Sequence, residues 1–201
     1  MIDEGYIKFE SDWKKSGALD HPEIAELINW RVPLYSAGLI GYFEESGIGY
    51  GNLSARVGQD GQFVISGTQT GHLSELGNEH FSLVTSFDLT KNLVCSKGAS
   101  EASSESMTHA ILYELDPEIR AVVHIHNDAL WLALKDKAPT TDEQVAYGTP
   151  EMAGEFARLV RETGFLVTGV SIMAGHEGGL ISIGTNVQQA AERLLTLQEN
   201  R

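Results

Sequence analysis

Cysteine is almost missing from this chain of 201 residues: Cys95 is its only one, so no disulfide can form within it. That fits a reducing cytoplasm, where thiols are kept reduced. Cys95 itself reads as a small buried hydrophobe. Positive charge is scarce too, with 14 Lys and Arg against 28 Asp and Glu and a formal net charge of −14. Nucleic-acid backbones are held by Lys and Arg, so nucleic acid is excluded as a partner. An anionic small molecule would have to be bound locally, against the general field. No apolar run is long enough to span a membrane, and the opening "MIDEGYIKFESDWKK" is too polar and acidic for a signal peptide. Repeats, low-complexity tracts and long linkers are lacking. The composition, 42% apolar and 21% charged, is that of an ordinary soluble globular protein. The chain reads as one domain over 1–201, with 1–19 as an N-terminal appendage.

Periodicity then gives the elements. "DHPEIAELINWRVPLYSAGLIGYF" predicts a helix capped by Asp20, with Pro22 in its first turn and Pro33 as a kink or break. "GNLSARV" and "GQFVIS" predict a hairpin across residues 58–61, and "HFSLVTSFDL" and "NLVCSKG" two further strands. In "ESMTHAILYEL", Met107, Ile111 and Leu115 fall on one side of a helix. "IRAVVHIH" reads as a strand and "ALWLALK" as a short helix. "TPEMAGEFARLVRET" has Thr149 as cap and Pro150 at its first position. "GFLVTGVSIMAG" and "GLISIG" read as strands. "TNVQQAAERLLTLQEN" closes as a helix, with Thr185 and Gln188 in a capping box. Strand pairs interspersed with helices predict an α/β sandwich with a large antiparallel component.

The chemistry concentrates in "VVHIHNDAL". Side chains alternate along a strand, so His124 and His126 point one way while Val123 and Ile125 point the other. Two neutral imidazoles so placed can reach one cation. Catalytic zinc sites use three protein ligands and keep a position open. "MAGHEGGL" offers His176 as the third, flanked by glycines that let the backbone turn sharply. Ser103, Ser104 and Glu105 stand where the helix of "GASEASSESMTHAILYEL" begins. A helix N-terminus presents unpaired N–H groups and partial positive charge, so the two hydroxyls there suit a phosphate or carboxylate. His109, one turn beyond Glu105, either contacts it or packs in the core.

"GNLSARV", "FVISGTQTGHLSEL", "ASSESMTHAILYELDPEIRAVVHIHN" and "GHEGGLISIGTNVQQAAERLL" occur in the order of the class II aldolase/adducin family. From about residue 24 onward the chain resembles L-fuculose 1-phosphate aldolase and ribulose-phosphate 4-epimerase. The resemblance implies a three-layer α/β/α sandwich around a mainly antiparallel central sheet, assembled as a homotetramer with sites at subunit interfaces. It implies a metal held by His124, His126 and His176: zinc, or another divalent ion such as Mn2+ or Co2+. Glu105 takes the place of the catalytic carboxylate, which also ligates the metal when no substrate is bound. Asn52, Ser103 and Ser104 take the places of the phosphate-binding residues, with Thr68 and Gln69 in the adjoining turn.

The implied function is metal-dependent aldolase-like carbon–carbon cleavage of a small, anionic sugar phosphate or hydroxy-carbonyl compound through an enediolate. Epimerisation, dehydration and decarboxylation are the alternatives. The sequence departs from the pattern at Gln69, and Tyr147 lies too near the following helix to match the aldolase's catalytic tyrosine. A metallohydrolase fits less well, because Ala129 follows "HIHND" where that fold needs another histidine. A cupin would lack the helices at 103–116 and 185–199. An adducin-like binding module would have lost the ligands that are present here.

Overall fold

The computed structural model describes residues 5–135 and 137–200. Eight strands form one sheet. They are β1 (Glu10–Lys15), β4 (Asn52–Val57), β5 (Gln62–Ser66), β6 (Phe81–Asp88), β7 (Leu93–Gly98), β8 (Ala121–His126), β9 (Val170–Ile172) and β10 (Gly179–Gly184). Their order across the sheet is β1-β7-β6-β5-β4-β8-β10-β9. Every pairing is antiparallel except β1 with β7. A separate hairpin joins β2 (Gly41–Phe43) to β3 (Ile48–Tyr50).

Helices cover both faces. On one side, α1 (Pro22–Ser36), α3 (Asp128–Leu134) and α6 (Val187–Glu199) bury Leu27, Leu34, Trp131 and Leu194 against Leu53, Val123 and Ile125. On the other, α2 (Ser106–Leu115), α4 (Pro150–Glu162) and the single turn α5 (Phe165–Thr168) bury Met107, Phe156 and Phe165 against Phe63, Val122 and Ile181. This is the three-layer α/β/α sandwich expected. Strand β8 is buried along its whole length, as a central strand covered on both faces must be. Its alternation sends Val123 and Ile125 to the α1/α6 side, so His124 and His126 share the α2/α4 side with Val122.

Several local expectations need correction. The first helix has His21, not Asp20, at its N-cap position, with no side-chain cap among the described residues; it runs through Pro33 and ends at Ser36. Residues 41–43 beyond it are strand β2. Residues 10–15, read as part of an appendage, form the edge strand of the sheet. The "GFLVTG" segment is a helical turn, not a strand: Thr163 Oγ1 accepts the Phe165 N–H, and Gly169, at φ 68°, ends the turn in the left-handed region. The last helix is capped one residue later than expected. Asn186 accepts from the Gln189 N–H, and the Gln189 side chain accepts from the Thr185 N–H. Thr149 and Pro150 begin α4 as expected.

Candidate metal centre

Two adjacent strands and one tight turn build the centre. His124 and His126 stand on β8, opposite Ile181 and Gly179 of β10. The turn before β10 returns His176 to the same place. All three histidines are buried, and one nitrogen from each lies within 4.8 Å of the other two. Nε2 of His126 is 3.0 Å from Nε2 of His176. A zinc ion with Zn–N bonds of about 2.0–2.1 Å holds tetrahedral ligands about 3.3 Å apart, so this triangle closes on a cation with small side-chain movements. Three neutral imidazoles are a donor set for a borderline divalent metal. The residues present therefore fit such an ion.

Gly178 makes this approach possible. Its φ of 76° is left-handed, and a Cβ there would stand 2.6 Å from Asp128 Oδ1 and 3.2 Å from His126 Nδ1. Glu105, at the N-cap of α2, has no surface exposure, and its Oε1 is 3.9 Å from His176 Nε2. Asn52 faces His124 across the β4–β8 ladder, with Nδ2 3.3 Å from His124 Nδ1.

Beside the cluster lies a small polar recess. Asn52, Thr68, Gln69, Ser103 and Ser104 all line it, so the residues singled out for anion binding come together. Ser103 and Ser104 sit in the turn ahead of α2, and Ser103 Oγ accepts the Glu105 N–H. The backbone amides of Gly67 and Thr68 are spent on the His80 and Glu101 carbonyls, so neither donates to a ligand. Gln69 is held at φ 57°, a strained setting for a residue with a side chain. Gly71 is needed because any Cβ would meet the Gly41 carbonyl and the backbones of Gly49 and Tyr50.

A family model described as Class II Aldolase and Adducin N-terminal domain matches residues 45–200. The chain belongs to the class II aldolase and adducin family. Among solved structures, an L-fuculose 1-phosphate aldolase is similar over 91% of this chain and 86% of its own, with 18% identity and a TM-score of 0.67. The l-fuculose-1-phosphate aldolase of Thermus thermophilus is 22% identical over 87% of this chain and 88% of its own, with a TM-score of 0.62. YgbL of Klebsiella pneumoniae, described as a candidate aldolase/epimerase/decarboxylase, is 22% identical over 88% and 85%, with a TM-score of 0.64. At these identities the likeness speaks for the fold. A search of curated protein sequences finds no match.

The surroundings of the centre include residues that the sequence pattern does not reveal. Arg31 of α1 is buried and donates to the carbonyls of Thr70, Gly71 and Ser74, so it fixes the recess turn from behind. Burial lowers its pKa to about 10, and it stays charged at neutral pH. Tyr147, set aside on sequence grounds, packs its ring 4.4 Å from His176. Its hydroxyl accepts the Tyr6 N–H, and Lys8 Nζ lies 3.7 Å from its ring centre. Tyr50 and Phe43 of the small hairpin stand 5.6 and 6.2 Å from the His126 ring.

His109 is a core residue. Its Nδ1 lies 2.7 Å from Ser54 Oγ, and Ser54 also meets the Tyr113 hydroxyl at 2.7 Å. Burial depresses its pKa from 6.5 to about 3. The unfolded chain takes up a proton below pH 6.5 while the folded one refuses it until about pH 3. Stability should therefore fall between those values, by up to about 1.4 kcal/mol per pH unit from this group. Urea unfolding at pH 7, 6 and 5 checks this against His109→Asn, which keeps a partner for Ser54. The variant should show the shallower loss, and parallel losses would contradict the assignment.

Proposed function

We propose that this chain is a divalent-metal-dependent lyase of the aldolase type, with zinc at His124, His126 and His176. Its substrate is a small anionic hydroxy-carbonyl compound, a sugar phosphate by chemical class. The observation that carries the reading is the convergence of three buried imidazoles with a fully buried carboxylate, Glu105, at their edge. A divalent cation held there would act as a Lewis acid, polarising the substrate carbonyl and taking up negative charge developing on oxygen.

The chain's own residues do the remainder. Glu105 takes up the proton that the substrate hydroxyl gives up as it becomes a carbonyl and the C–C bond breaks, and returns one to the carbon left behind; in the reverse sense it removes that proton from carbon. Asn52, Ser103 and Ser104 donate to the anionic group of the substrate and fix the distance between that group and the reacting carbon. Charge-assisted hydrogen bonds of this kind are worth about 1.5–3 kcal/mol each, which lets a strongly acidic protein hold an anion with no Lys or Arg among the described residues that line the recess. Tyr147, Tyr50 and Phe43 wall the centre and limit water. By resemblance the protein acts as a cytoplasmic homotetramer.

The test is a screen of phosphorylated and unphosphorylated ketoses and hydroxy acids, with metal content measured on the same sample. A ketose phosphate should be cleaved to two carbonyl products, with activity lost to a chelator and restored by zinc, Mn2+ or Co2+. Cleavage that ignores the chelator would contradict the reading. Conversion without a broken carbon–carbon bond would replace the lyase with an epimerase, dehydratase or decarboxylase.

A further inference from the structure

We infer that Asn52 couples the anion recess to the histidine cluster, because the orientation of its amide sets which nitrogen of His124 carries the proton. The inference rests on the cluster being the metal centre proposed above. Asn52 and His124 are register partners on β4 and β8. The amide nitrogen is 3.3 Å from His124 Nδ1; an NH2 group can only donate, so this contact is a hydrogen bond when Nδ1 accepts and the ring proton is on Nε2. Asn52 is 6% exposed and lines the recess, yet its Oδ1 is buried with no hydrogen-bond partner among the described residues. A buried carbonyl oxygen left in that state is costly, so the site favours any arrangement that satisfies it.

A half-turn of the amide exchanges its oxygen and nitrogen at little change of shape. Oδ1 then accepts from a proton on His124 Nδ1. That leaves the Nε2 lone pair for a cation and satisfies the oxygen. The same half-turn carries the NH2 group to the side that Oδ1 held, where it donates to an anion in the recess. The first orientation opposes cation and anion alike, since it protonates Nε2 and leaves a carbonyl oxygen where an anion needs a donor. The second favours both. Cation and anion thus select one orientation of Asn52, and each must tighten the other by the same factor.

The experiment titrates Co2+ into the full chain by calorimetry, with and without inorganic sulfate. In the unaltered protein sulfate should tighten Co2+ binding about tenfold or more, and Co2+ should tighten sulfate equally. Asn52→Leu should bring the coupling factor to within about twofold of unity and weaken Co2+ itself about 10-fold or more, as loss of a residue orienting a ligand does. Ser104→Ala should weaken sulfate but keep the coupling. Nitrogen NMR of the His124 ring in the unaltered protein reads the same event without any variant: sulfate plus Co2+'s diamagnetic substitute Zn2+ should place the proton on Nδ1. Equal coupling in Asn52→Leu, no coupling in the unaltered protein, or a proton that stays on Nε2 in the zinc-loaded protein would overturn the inference. If the unaltered chain takes up no Co2+, or His124→Ala binds it as tightly, the metal-centre reading itself fails, a separate and recognisable result.

Discussion

His126→Ala should lower the affinity for zinc by more than about 100-fold. Losing a residue that merely orients a ligand already costs about 10–100-fold, and His126 is itself one corner of the triangle. Its Nε2 lies 3.0 Å from that of His176, so its removal leaves two imidazoles that cannot enclose an ion. Zinc stabilises whatever state binds it, so the melting temperature of the unaltered protein should rise with added zinc. That rise should vanish in His126→Ala. The metal-free melting temperatures should differ much less, because His126 sits at the end of β8 rather than in its middle. Calorimetric zinc titration with paired melting curves checks both expectations. A variant that binds zinc as tightly as the parent would remove His126 from the site.

Glu105→Gln should lose about 100-fold or more in turnover while keeping its fold and its affinity for zinc. Glutamine preserves the shape and hydrogen-bonding length of the side chain but cannot take up a proton as a carboxylate does. Glu105 has no exposed surface, and an ionised carboxylate is costly to bury. The neutral variant should therefore be at least as stable as the parent, so lost activity cannot be blamed on unfolding. Steady-state rates on the substrate found by screening, with denaturant melts and metal analysis of the same preparation, separate the outcomes. Near-parental turnover would return Glu105 to the role of a helix-start residue.

The pair at His124 and His126 is legible in the sequence because a strand repeats every two residues, so spacing alone puts both rings on one face. His176 is legible through its glycines, and Gly178 does what a glycine there is needed for. The gathering of Asn52, Thr68, Gln69, Ser103 and Ser104 follows from resemblance to the family, since nothing in their spacing brings residues 52, 68 and 103 together. Arg31 gives no signal: it lies on a helix, and its partners are backbone carbonyls some forty residues later. Strand β1 is hidden for a similar reason. "ESDWKK" has no clear apolar alternation because it is an edge strand, half solvated, paired with β7 about eighty residues away. Tyr147 escapes the sequence pattern because proximity to α4 along the chain says nothing about the ring's contact with His176. The cap of α6 is ambiguous by one residue because Thr185 and Asn186 are both good caps, and the Gln189 side chain settles the competition between them.

The proposed centre depends on three imidazoles sharing one ion. The most direct measurement is anomalous diffraction at the zinc edge from zinc-loaded crystals of the full chain. It should find one ion with nitrogens of His124, His126 and His176 each about 2.0–2.1 Å away. An ion held elsewhere, or one bonded to fewer than these three nitrogens, would contradict it.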